Sequence, residues 1–213
     1  MSGIRSELRD YVEAEIIPRY RSFDKAHQED HARMVIRQAL ELAEQLGVDH
    51  ELLYVAAAYH DTGLVEGRER HHLVSGAIIR SDRQLRRWFS EEEVEQMAQA
   101  AEDHRASSDH EPRSIYGRIL AEADRFIEAE TIIRRTAQYS LTNYPSFSFE
   151  EHEERCVAHL KEKYGDGGYL KLWIPDSPNA QRLEQLRAII RDEPRIRSLT
   201  RKLLKEELSA AEA

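Results

Sequence analysis

Apolar residues along the chain recur at helical intervals, and the pattern nowhere settles into the strict alternation of a half-buried strand. Ile4, Leu8, Tyr11, Val12 and Ile16 predict a first amphipathic helix over 4–20, which Pro18 should end or bend. A connector from Ser22 to His27 leads to a helix from about Glu29 to Leu46, closed by Gly47, with an inner stripe of His31, Met34, Val35, Gln38, Ala39, Leu42 and Leu46. Asp49 can cap a third helix that carries Leu52, Leu53, Ala56 and Ala57 and ends in His60-Asp61. A fourth opens at His71-His72. The capping box of Ser90 and Glu93 opens a fifth, whose stripe of Val94, Met97, Ala98 and Ala101 runs into His104. Beyond Pro112 the pattern predicts one long helix from about Arg113 to Tyr139. A second capping box, Ser148 with Glu151, starts a helix to about Tyr164, and Gly165-Asp166-Gly167-Gly168 breaks it. Tyr169 to Ile174 is the one candidate extended piece. Ser177-Pro178 and Pro194 open the last two helices.

The expected fold class is therefore all-α, and composition agrees with it: 40% apolar, 33% charged, nine Gly and six Pro in 213 residues. The expected organisation is an N-terminal helix and connector over 1–26, a helical core over 27–140, and a C-terminal helical extension over 141–213 packed on the same domain. A net charge of −9 argues against a protein that binds nucleic acid by neutralising phosphates. The single Cys156 excludes an intramolecular disulfide framework and fits a reducing compartment. No apolar run approaches bilayer-spanning length, and Met1 to Asp10 mixes charges without an apolar leader segment, so a cytoplasmic location with no membrane partner is expected.

The candidate chemistry centres on Tyr54-Val55-Ala56-Ala57-Ala58-Tyr59-His60-Asp61-Thr62-Gly63. Imidazole beside carboxylate is a ligand pair suited to a divalent transition metal. One His-Asp dipeptide says little. The company it keeps says more: His31, His104 and Asp124 each lie on the apolar face of a predicted helix, and a carboxylate there is expensive to bury unless it is paired or bound to metal. One of His71 and His72 can join them. His71 aligns with Ser75 and Ile78, His72 with Gly76 and Ile79, and spacing leaves both open. Residues 62–70, with Gly63, Gly67, Glu66, Arg68, Glu69 and Arg70, read equally as a solvated loop or a substrate rim. His152 and His159 are expected to be structural or exposed.

The order H…HD…D on separate helices, in His31, His60-Asp61 and Ala123-Asp124-Arg125, resembles the HD superfamily of metal-dependent phosphohydrolases over residues 27 to 140. The strings Asp24-Lys25-Ala26-His27, Glu102-Asp103-His104-Arg105 and Pro112-Arg113-Ser114-Ile115 look like those of a bacterial subgroup without a settled substrate. The resemblance implies that His31, His60, Asp61 and Asp124 hold a divalent metal. In two-metal members, two further histidines hold a second metal and the doublet aspartate bridges. His72 and His104 fit those places, His72 being preferred over His71 because Gly76 follows four residues later. The implied cofactor is one or two divalent ions from Mn, Fe, Co, Ni, Zn and Mg. The implied reaction is hydrolysis of a small phosphate ester, a nucleotide among the candidates, by metal-activated water, with Asp61 and His27 as catalytic residues and Lys25, Arg68, Arg105 and Arg113 as phosphate contacts. Single-metal nucleotidases of the superfamily place a glutamate close after the doublet; here the nearest is Glu66. The competing expectations are a di-iron oxygenase on the same scaffold and a non-catalytic nucleotide-binding module. The C-terminal helices could cover the pocket or form a homodimer surface.

Overall fold

The computed structural model describes residues 3–24, 27–106, 108, 110–175 and 177–211. Helices account for the regular structure, and no strand occurs among the described residues. Chain contacts gather into two compact units that divide between Arg125 and Phe126.

The first unit opens with α1 (Ser6–Tyr11), a π-helical turn over Val12–Ile16 and a 3-10 turn over Ile17–Ser22 that contains Pro18. These form one continuous rod whose Leu8, Val12, Ile16, Ile17 and Tyr20 are fully buried. Next comes α2 (Glu29–Leu46), closed by Gly47 at φ 65°, the left-handed position that favours glycine. α3 (His50–Tyr59) begins where Asp49 accepts from the Glu51 and Leu52 N–H groups at 2.8 and 3.0 Å. Every residue of α3 from Leu52 to Tyr59 is buried, as expected of a helix that is apolar all round. It is the central rod of the unit, with α2, α4 (His71–Ser81), α5 (Glu91–Asp103) and α6 (Ile115–Ala123) packed about it. Alanines at 56, 57 and 58 allow that close approach. A 3-10 turn over Thr62–Glu66 follows α3 and packs on α4.

The expected helix from Arg113 to Tyr139 is two helices. Ser114 caps α6 by accepting from Gly117 N–H at 3.2 Å, and α6 ends at Ala123. Glu128 then caps α7 (Ala129–Asn143), accepting from Glu130 and Thr131 N–H at 3.1 and 2.6 Å. A glutamate cap shortly past a carboxylate-bearing face is easily taken for more amphipathic helix, and the apolar periodicity runs on through the break. The interruption spans the division between Arg125 and Phe126.

In the second unit, α7, α8 (Phe149–Tyr164), α9 (Pro178–Arg191) and α10 (Glu193–Ala211) pack together. Ala137, Cys156 and Leu204 form a buried cluster with Leu141 and Phe149 against it. Buried Glu153 accepts from Arg197 and Arg201. The expected extended piece, Tyr169 to Ile174, pairs with no strand. Its Tyr169 and Leu170 N–H groups instead donate back to Glu162 and Lys163 carbonyls at 3.1 and 3.0 Å. No described helix is long and apolar enough to cross a membrane.

Candidate metal centre

α3 delivers His60 at its C-cap and Asp61 one residue beyond, with Asp61 at φ −109°, ψ 4°, in the sparsely populated bridge region where many active-site residues sit. α2 supplies His31 from its first turn, and α6 supplies Asp124 at its own C-cap. α4 contributes its first residue, His71, and α5 its C-cap, His104. Five elements thus converge on one point. Among the described residues, two groups of three offer ligand atoms within 4.8 Å of one another: His31, His60 and Asp124, and Asp61, His71 and His104.

Asp61 joins the groups. Its Oδ2 lies 3.1 Å from His60 Nε2 and 3.5 Å from His31 Nε2, while its Oδ1 lies 3.3 Å from His71 Nε2 and 3.5 Å from His104 Nε2. Asp124 Oδ1 closes the first group at 3.2 Å from His31 Nε2 and 3.6 Å from His60 Nε2. The side chains of His60, Asp61 and His104 form a deep layer, 0%, 4% and 2% exposed. Those of His31, His71 and Asp124 form a rim, 15%, 14% and 23% exposed. The centre is closed below and open on one side.

The imidazoles are oriented by main chain. His60 Nδ1 donates to Ala57 O at 2.7 Å, His71 Nδ1 to Arg68 O at 2.8 Å, and His104 Nδ1 to Ala101 O at 2.5 Å. Each carbonyl fixes the proton on Nδ1 and leaves the Nε2 lone pair facing inward. Nε2 atoms then meet in pairs at 3.3 Å, His60 with His31 and His71 with His104. Imidazole nitrogens gathered at that separation beside two carboxylates form a set that a cation would fill. The donor set of imidazole nitrogen and carboxylate oxygen suits a divalent transition metal, and these residues fit one.

The electrostatics agree. Burial works against ionisation of Asp61 and Asp124, but the facing imidazoles outweigh it and hold both carboxyls below the ordinary carboxylate range. Burial likewise opposes charge on His31 and His60, and the carboxylates reverse the balance and raise both. His71 is lowered, by burial first and then by His104.

Residues 29–129 match the family model of the HD domain. That segment is an HD domain. HD domains are as a rule metal-dependent hydrolases, and the His/Asp cluster is compatible with that binding. Comparison with curated proteins and with solved structures returns no match.

Within this HD domain the structure brings together five of the six expected ligands, His31, His60, Asp61, His104 and Asp124. It replaces His72 by His71. The preference for His72 rested on Gly76, yet Gly76 makes room for something else: a Cβ there would collide with the Glu102 carboxylate, which Arg80 and Arg113 hold in place. The informative glycine is Gly63. A Cβ on it would run into the His71 carbonyl and the Ser75 N–H, so Gly63 lets the doublet turn press against the first turn of α4. Gly63 N–H donates to Ser75 Oγ at 2.9 Å, which turns the His71–Ser75 face inward. His72 lies a helical step round, with Nδ1 buried and unpartnered and its pKa pushed down to about 4 by burial, then by His104.

The other expected residues divide. His27 stands beside the rim, its ring 5.7 Å from that of His31 and its Nδ1 2.8 Å from Asp24 Oδ1. Arg105 follows His104 and donates from Nη1 to Glu69 O at 2.8 Å, tying the 62–70 loop to α5. Arg68 is exposed; its carbonyl, rather than its guanidinium, serves the centre. Glu66 is exposed. Lys25 lies outside the described residues. Arg113, expected at phosphate, is instead committed to Asp103 and Glu102. Ser75 and Tyr20 were not anticipated: Ser75 had the inward register of His71 as its signal, while Tyr20 reads in sequence as ordinary core.

Proposed function

We propose that this HD-domain protein is a two-metal phosphohydrolase acting on a small phosphate ester. The observation that carries the reading is the Asp61 carboxylate, which gives one oxygen to His31 and His60 and the other to His71 and His104. A carboxylate shared in this way fits a bridge between two ions, with His31, His60 and Asp124 completing one set and His71 and His104 the other. Bound divalent ions would supply Lewis acidity there, lowering the pKa of water toward neutrality and offsetting charge on a phosphoryl group.

The chain's own residues do the rest. The deep layer of His60, Asp61 and His104 keeps bulk water from beneath the centre, and the rim of His31, His71 and Asp124 leaves one approach for the ester. His27, held through Nδ1 by Asp24, stands beside the rim as the group to exchange a proton with the departing alkoxide oxygen. Arg105 borders the same side through the loop it anchors and supplies cationic character for the phosphate oxygens, while Arg68 serves through its carbonyl.

The test is elemental analysis of the purified protein with turnover on a panel of phosphate esters, in wild type, His71→Ala, His72→Ala and Asp61→Ala. Two divalent ions per chain are expected in wild type and His72→Ala, about one in His71→Ala, and no turnover in Asp61→Ala. Undiminished metal in His71→Ala, or full activity in Asp61→Ala, refutes the reading. Two irons with substrate-dependent oxygen uptake and no phosphate release would transfer the site to oxygenase chemistry.

A further inference from the structure

The family match begins at residue 29, yet one group buried against the doublet comes from before it. Tyr20 is fully buried, and a buried hydroxyl needs partners. It finds them at the end of α3. Tyr20 Oη donates to Ala58 O at 3.0 Å, accepts from Asp61 N–H at 3.3 Å, and lies 3.4 Å from His60 Nδ1.

Those partners are particular. In a helix that continued, Asp61 N–H would donate to Ala57 O and Ala58 O would accept from Thr62 N–H. Ala57 O instead takes His60 Nδ1–H, and the displaced donor and acceptor both go to the Tyr20 hydroxyl. One phenol thus does the work of a missing turn, directly beneath His60 and Asp61. The rod that carries Tyr20 is irregular in step with this: Ile17 N–H reaches back five residues to Val12 O in a π-turn, and the 3-10 turn with Pro18 comes next. A π-turn of this kind shifts the register of the chain beyond it, and such turns recur at functional sites.

We propose that Tyr20 is a positioning residue of the metal centre, its hydroxyl ending α3 at the doublet and so fixing the inward aim of His60 Nε2 and the Asp61 carboxylate. The inference rests on the metal-centre reading above. It makes the N-terminal segment part of the site, although the HD-family match does not include it.

Tyr20→Phe removes one oxygen and keeps the ring against Phe23 and His60. Tyr11→Phe is the control: it deletes a hydroxyl from the same rod, one that donates to Asp82 at 2.6 Å and touches no ligand. The metal-free full chain is titrated with cobalt(II) alone, reading affinity and the d–d absorption spectrum, with thermal unfolding alongside. Tyr20→Phe is expected to weaken cobalt binding about tenfold or more, within the range seen when groups that orient ligands are removed, and to alter the spectrum. Tyr11→Phe is expected to lower the melting temperature while leaving affinity and spectrum at wild-type values. Wild-type cobalt affinity and spectrum in Tyr20→Phe would overturn this proposal alone. A wild-type chain that binds no cobalt would overturn the metal-centre reading and this proposal with it.

Discussion

Arg113 separates a phosphate contact from a structural clamp, and replacing it by methionine decides between them. The Asp103 side chain is 0% exposed. It accepts from Arg113 Nε at 3.0 Å through Oδ1 and 3.2 Å through Oδ2, from Arg113 Nη2 at 2.8 Å, and from the Arg113 main-chain N–H at 2.7 Å. Nη2 also donates to Glu102 Oε2 at 2.6 Å. Arg113→Met keeps the stem and the main-chain donor but strips the guanidinium from a buried carboxylate. Removing one partner of a fully buried pair costs about 3–5 kcal/mol. The Arg113 side chain is 42% exposed, so water reaches part of the gap and about 2–3 kcal/mol is the better figure. For a chain of this length that corresponds to a fall of roughly 5–10 °C in melting temperature. The assay is urea unfolding in a Trp173→Phe background, where Trp88 alone reports on the first unit. Adding Asp103→Asn removes the orphaned charge, and the double-mutant cycle should show coupling above ~1 kcal/mol. KM for any phosphate ester that turns over should not change. A tenfold higher KM in Arg113→Met with unaltered urea midpoint would refute the clamp and restore Arg113 to the substrate.

Two further outcomes rest on the same packing logic. Gly63→Ala sets a Cβ against the His71 carbonyl and Ser75 N–H, main-chain atoms that cannot swing aside, so it should lower stability by about 3 kcal/mol and shed metal from the His71 half of the centre. Normal melting and normal metal content would mean that the turn and α4 do not touch as described. In the second unit, buried His152 accepts from or donates to Ser140 Oγ at 2.8 Å, and burial with nearby Arg155 lowers its pKa. The unfolded imidazole therefore binds a proton more readily, so stability is full above about pH 6.5 and declines as pH falls through that value toward the folded pKa. Trp173 fluorescence in a Trp88→Phe background should show a lower urea midpoint at pH 5.5 than at pH 7.5, and an unchanged midpoint would refute the assignment.

Most of the fold was legible because α2, α3, α5, α8 and α9 carry both periodicity and caps. The Ser90 and Ser148 boxes and the Asp49 and Ser177 caps form as the sequence predicts. The break at 124–128 was not legible, since Glu128 caps α7 as a residue of ordinary helical type. In the centre, the ligands that end an apolar stripe could be read one helix at a time. The choice between His71 and His72 could not, because both lie in the first turn of α4 and only the partner surface, Gly63 with Ser75, decides which faces inward. Arg113 misled for a related reason: a cation near ligand motifs looks the same in sequence whether it awaits a phosphate or a buried Asp103.

The manner of orienting the imidazoles bears on the charge of the pocket. His60 and His104 stand in the same local pattern, Ala57-Ala58-Tyr59-His60 and Ala101-Glu102-Asp103-His104, each ending its helix and each returning Nδ1–H to the alanine carbonyl three residues back. Carbonyls near a helix end lack main-chain donors, so one histidine both satisfies the helix and presents its Nε2. His71 uses the Arg68 carbonyl in the same way. Ligating histidines in general can be held by a carboxylate instead, which adds negative charge behind the ring. Here three of the four imidazoles are held by neutral carbonyls, and the anionic charge facing the centre comes from Asp61 and Asp124. Two divalent ions would outweigh those two carboxylates and leave the pocket cationic. A chain with a net charge of −9 could in that way draw a phosphate ester to its rim without an exposed basic patch.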